Sequence, residues 1–237
     1  MAVSDEDRRS AHLIPLWIGL ALHTGSLVLS LLDPTRRDFA YAVLAVWAAV
    51  AALFFVSRYL ASPSRAILVL PVGAMALLVA MAGLAGPVPD KPATEMIWIV
   101  RLHVVFMSAH LAAMLLAGAA GGMWLVAANQ LRSPSPRALR LPSLPVVERL
   151  AERSLVIATA LLLGGLATGG AAMQQTGGVN MGKPSIALAL LTMVLLVAAL
   201  ALSATGRLNR RSTAVAAVVT MMVAALGALS QLVIKHG

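Results

Sequence analysis

Long apolar stretches separated by short polar segments run along the whole chain. An α-helix needs about 20 consecutive apolar residues to cross the hydrocarbon core of a bilayer. The pattern therefore predicts an all-α fold, a polytopic membrane helix bundle of about seven transmembrane helices in one integral membrane domain, 1–237. The predicted spans are 12–32, 39–60, 66–84, 97–127, 155–173, 185–204 and 213–234.

The fourth predicted span carries two histidines, His103 and His110, in an otherwise apolar run. Seven residues are about two helical turns, so the two side chains share one helix face about 10 Å apart. Ionisable groups inside a membrane span are costly, and they are functional candidates by default.

Composition supports the membrane interpretation. The chain is 60% hydrophobic and 11% charged, whereas soluble domains have about 25% charged residues. It has no cysteine, which excludes disulfides and thiolate metal sites.

The net charge of +9 comes mainly from arginines in the polar segments between predicted spans. They are not interleaved with aromatic residues, so we do not predict nucleic-acid binding. The most basic segments follow the second, fourth and sixth predicted spans, and the positive-inside rule then predicts a cytoplasmic N-terminus and a C-terminus outside. The expected location is a bacterial-type inner membrane, with the first span retained because no small-residue cleavage site follows it.

This topology places the histidines in two pairs of similar depth. His103 and His236 lie near the outer face, and His23 and His110 lie near the middle of the bilayer. Neutral imidazole is a haem-iron ligand, and two imidazoles from different helices can hold one haem. Two haems about 10 Å apart along one helix would collide, so His103 and His110 are not expected to hold separate haems. A hydrogen bond from each histidine to a neighbouring hydroxyl or carbonyl is the alternative.

Other chemistry is sparse. The chain has no Walker loop, no HExxH motif, no nucleophile elbow and no pair of carboxylates inside a span. None of these patterns predicts catalysis, and the sequence leaves open whether the chain is an enzyme. The small-residue runs 117–122 and 164–170 predict close helix packing.

Two longer segments carry a family resemblance: WIVRLHVVFMSAHLAAMLLAGAAG at 98–121 and LPSLPVVERLAERSLVIATALLLGGLATGG at 141–170. They resemble the cytochrome c assembly protein family, in particular its CcsA-like and HemX-like haem-handling membrane proteins. His103 falls on the histidine of the family's Met/Leu-His-Val motif, His236 on the histidine that ends the last core span, and His23 on a first-span histidine of HemX-like members. CcsA-like members carry a Trp-rich loop with an Asp-Pro-Lys motif, whereas this chain has QQTGGVNMGKP. The resemblance is therefore closer to HemX-like members.

The resemblance implies that the chain binds or handles haem b, with His103 and His236 as candidate iron ligands and His23 and His110 as further candidates. It also implies a role in cytochrome c maturation or in the control of tetrapyrrole synthesis, with membrane protein partners from those pathways. Two alternatives stay open. One is a structural or scaffolding membrane subunit without haem, and the other is a b-type electron carrier that uses His23 and His110.

Overall fold

The structure is a computed structural model of the chain. It describes residues 98–132, 143–175 and 184–234, together with residues 21, 22, 24, 25, 28, 29 and 32, which are helical. The long segments form four helices and contain no strand. The helices are α1 (Trp98–Arg132), α2 (Leu144–Gln175), α3 (Pro184–Ala204) and α4 (Arg210–Ile234).

All four helices are long and apolar enough to cross a membrane. They correspond to the fourth to seventh predicted spans, so the all-α class is confirmed for this part of the chain, and the length and apolar composition of the helices are compatible with the predicted spans. The second and third predicted spans, 39–60 and 66–84, lie outside the described residues.

Consecutive helices run antiparallel. Early in α1, Met107 lies against Gly165 late in α2, and later in α1, Ala120 packs in one cluster with Val147 at the start of α2. Helix α1 also packs antiparallel to α4, since Gly121 faces Ala214. The starts of α2 and α4 therefore lie at the same end of the bundle as the end of α1.

The apolar core of this bundle draws side chains from every helix. Met114 of α1, Leu155 and Leu162 of α2, Leu196 of α3 and Ala217 of α4 are fully or almost fully buried in one cluster. Many apolar residues on the outer faces are exposed, as expected for helices that face lipid.

Helix α2 begins at Leu144, so it extends eleven residues beyond the predicted start of the span at 155. The stretch from 144 to 154 contains several polar and charged residues. Its apolar positions nevertheless recur at helical spacing, and Val147 and Ala151 are buried in a cluster with Ala120 and Met123 of α1. Tertiary packing of this apolar stripe stabilises the extra turns.

The connection between α3 and α4 is a tight turn with local capping. Gly206 adopts φ +68°, and the amides of Gly206 and Arg207 donate to the carbonyls of Ser203 and Leu202, which is a Schellman motif. The side chain of Asn209 then accepts from the Ser212 amide at 2.8 Å and caps the start of α4. Because of this cap α4 begins at Arg210, three residues before the predicted start at 213.

The small-residue runs are packing surfaces, as predicted. A Cβ on Gly121 would lie 2.6 Å from the Ala214 carbonyl oxygen, and one on Gly164 would lie 2.9 Å from Cε1 of Phe106. Among the described residues, Gly122 and Gly170 have no neighbour within 4 Å of such an atom. The glycines that face a neighbouring helix thus let the backbones approach closely, while the others face open space.

Candidate functional site

His103 lies on α1 and faces α2. Its Nδ1 lies 2.7 Å from the carbonyl oxygen of Gly165, and the side chain is half-buried. A carbonyl oxygen only accepts hydrogen bonds, so Nδ1 carries the proton in this contact. In the neutral imidazole Nε2 then keeps a free lone pair, which is the state of a histidine prepared to bind a metal.

Gly169 provides the space for the His103 ring. A Cβ on Gly169 would lie 2.8 Å from both Cε1 and Nδ1 of the ring and 3.6 Å from Nε2. Gly165 and Gly169 are one helical turn apart on α2, so both face α1 at this depth. The first accepts the ring's hydrogen bond through its carbonyl, and the second leaves room for the ring.

His110 makes the same type of contact two turns further along α1. Its Nδ1 lies 2.9 Å from the carbonyl oxygen of Ala158, and only 3% of the residue is exposed. Both histidines therefore face α2, which confirms the prediction that they share one helix face. The hydrogen bond to a carbonyl, the alternative left open by the sequence, is present at Nδ1 of both rings.

The two histidines differ in how far the protein buries them. His110 is enclosed between α1 and α2, because protein atoms already cover it. His103 is half-buried, and within the described segments its Nε2 has no hydrogen-bond partner. The His103 ring therefore leaves its Nε2 open to a further partner, whereas the His110 ring is packed against α2.

Each predicted histidine pair has one member outside the described residues. His23 and His236, the predicted partners of His110 and His103, both lie outside that part of the chain. The described residues contain no group of three or more His, Cys, Asp or Glu side chains that could hold a metal ion. A haem needs at most two protein ligands to its iron, so that finding does not bear on haem binding.

Sequence reasoning did not identify the partners of the two histidines on α2. The carbonyls of Ala158 and Gly165 have no sequence signature, because every residue has a carbonyl group. Gly169 was noticed only as part of a small-residue run. The one available signal was the i, i+4 spacing of Gly165 and Gly169, which places both on one face of α2.

Under the haem hypothesis that follows from the family resemblance, Gly169→Ala is expected to weaken haem binding without removing a ligand. The new Cβ would collide with the His103 ring, and disturbed positioning of a metal-ligating histidine typically costs about 10- to 100-fold in affinity. Haem titration of the purified protein measures the change. Gly170→Ala is the matched control, because the added Cβ meets open space and affinity should stay unchanged.

No protein-family model, curated protein or solved structure matches this chain.

Proposed function

We propose that this chain is a membrane protein that binds haem b, with His103 as an axial ligand to the iron. The observation that carries the proposal is the orientation of the His103 ring. The Gly165 carbonyl holds its Nδ1–H, and Nε2 is left as the coordinating nitrogen on a half-buried ring. Because the chain has no cysteine, haem would be bound without the thioether bonds of c-type cytochromes.

The arrangement of charges supports a site near the outer face of the membrane. Arg132, Arg149 and Arg210 lie at one end of the bundle, and the positive-inside rule assigns that end to the cytoplasm. His103 is in the second turn of α1, close to Trp98 at the opposite end. A haem on His103 would then lie near the outer surface of a bacterial-type inner membrane.

The second axial ligand is proposed to be His236, with His23 as the other candidate. His236 is favoured because the order of the predicted spans places it at the same end of the bundle as His103. His110 is less suited to this role, since its ring is enclosed and only 3% exposed. The same enclosure weighs against an electron carrier that uses His23 and His110.

The biological role that follows from the resemblance is haem supply, cytochrome c maturation or control of tetrapyrrole synthesis, together with membrane protein partners. Haem bound at His103 would supply an iron centre whose electronic properties depend on its axial ligands. The chain's own contribution is to orient the His103 imidazole. The Gly165 carbonyl accepts its hydrogen bond, and the absence of a side chain at Gly169 leaves room for the ring.

The direct test is an absorption spectrum of the full-length protein purified in mild detergent from haem-replete cells, oxidised and then reduced. The proposal predicts the bands of low-spin haem. His236→Ala and His23→Ala identify the second ligand, because only the ligand's removal converts the spectrum to a five-coordinate form. A wild-type protein without haem, and with none taken up on titration, would refute the proposal.

A structural or scaffolding subunit is the second candidate function. One observation favours it: both described histidines donate to backbone carbonyls of α2, which joins the two helices without any cofactor. This function predicts no haem spectrum and unchanged activity of its complex after substitution of the histidines.

A further inference from the structure

A group of arginines surrounds the end of the bundle where α2 and α4 begin. The group consists of exposed side chains on α2, on the α3–α4 turn and on the first turn of α4. We call it the arginine belt, and its members are Arg149, Arg153, Arg207, Arg210 and Arg211.

The described residues at this end of the bundle include five belt arginines and two acidic residues on α2, Glu148 and Glu152, so the belt keeps a net positive charge. Nε of Arg210 lies 3.1 Å from Oε1 of Glu148 and links the starts of α2 and α4, although the Arg210 side chain stays 70% exposed. Nε of Arg149 donates to the Pro145 carbonyl of its own helix. Neither α2 nor α4 has an acidic residue in its first turn, so the positive ends of both helix dipoles add to the field.

The belt lies at the depth where the apolar spans end. Arg207 follows the last residue of α3 by three positions, and Arg211 is followed within one turn by the buried Ala214. On α2, Arg153 is followed by the buried core residue Leu155. In a bilayer that these helices span, arginine side chains at the ends of the apolar segments would lie at the level of the lipid headgroups.

We infer that the arginine belt binds the headgroups of anionic phospholipids in the adjacent leaflet. Guanidinium groups form charge-assisted, often bidentate hydrogen bonds with phosphate oxygens. Basic side chains at the surface of an anionic membrane are each attracted to it by an amount that corresponds to about a fivefold change in affinity. The inference is independent of haem binding, because the belt lies at the end of the bundle opposite His103.

The test compares lipid retention by the full-length protein in native mass spectrometry. The wild-type protein is loaded with equal amounts of phosphatidylglycerol and phosphatidylcholine. The double substitution Arg207→Gln and Arg211→Gln removes two belt charges and leaves the Arg210–Glu148 ion pair intact. Arg101→Gln is the control, because Arg101 lies near the start of α1, at the end of the bundle opposite the arginine belt.

We expect preferential retention of phosphatidylglycerol by the wild type and by Arg101→Gln. The double variant should weaken that preference by about 25-fold, from two arginines at about fivefold each, and high salt should weaken it in the wild type. Equal retention of the two lipids by the wild type would overturn the inference. This measurement does not depend on whether the variants fold. An equal loss of the preference for phosphatidylglycerol in Arg101→Gln would also overturn the inference. Displacement of the bound lipid by millimolar inorganic phosphate would overturn it too, because it would indicate a site for free anions.

Discussion

His103→Ala is expected to abolish the low-spin haem spectrum of the purified protein. The substitution removes the imidazole whose Nε2 is left free by the hydrogen bond from Nδ1 to the Gly165 carbonyl. No other described histidine can replace it, because His110 lies two turns away and is enclosed. The measurement is the oxidised and reduced absorption spectrum, normalised to protein concentration.

His110→Ala is the informative comparison. Removing this ring deletes a buried hydrogen bond to the Ala158 carbonyl, a loss of about 0.5–1.5 kcal/mol, and leaves a cavity between α1 and α2. The variant should therefore melt at a lower temperature but keep its haem spectrum. Retention of haem by His103→Ala together with its loss from His110→Ala would move the site to the middle of the membrane and contradict our assignment.

The second large effect is expected at the contact between α1 and α4. Gly121→Ala would place a Cβ 2.6 Å from the Ala214 carbonyl oxygen and 3.2 Å from the Ala217 side chain. A backbone carbonyl cannot move without shifting α4, so we expect destabilisation of about 1–3 kcal/mol, the usual range for overpacking. Thermal unfolding in detergent, followed by circular dichroism, measures it.

Gly122→Ala is the matched control for this substitution. It makes the same chemical change one residue further along α1, where nothing lies within 4 Å of the added Cβ. Alanine is the better helix former, so Gly122→Ala should melt at the wild-type temperature or slightly above it. Equal melting temperatures for the two variants would contradict the close approach of α1 and α4 at Gly121.

Hydropathy was sufficient to predict the four described helices, because a membrane span depends on a long apolar run that is visible in the sequence. Hydropathy did not predict that α2 begins eleven residues before the predicted start of the span. There the residues from Leu144 to Arg153 are too polar to be recognised as part of a span. They are helical because Val147 and Ala151 pack against α1, and a contact between distant segments leaves no mark in the local composition.

The candidate site was predictable to a smaller extent. The seven-residue spacing predicted correctly that His103 and His110 share one face of α1. It could not show that the neighbour of this face is α2, that its carbonyls are the acceptors, or that one ring is enclosed and the other half-buried. Those properties depend on the antiparallel alignment of α1 with α2, which brings Gly165 and Gly169 to the level of His103.

The most direct test of ligation by His103 is chemical rescue of His103→Gly with free imidazole. The substitution leaves space for a small molecule beside Gly169, and imidazole can then coordinate the haem iron from that space. We predict that the variant, reconstituted with haem, gains the wild-type low-spin spectrum as imidazole is added, while wild-type protein does not respond at the same concentrations. A variant whose spectrum already equals that of the wild type before imidazole is added would show that His103 is not a ligand.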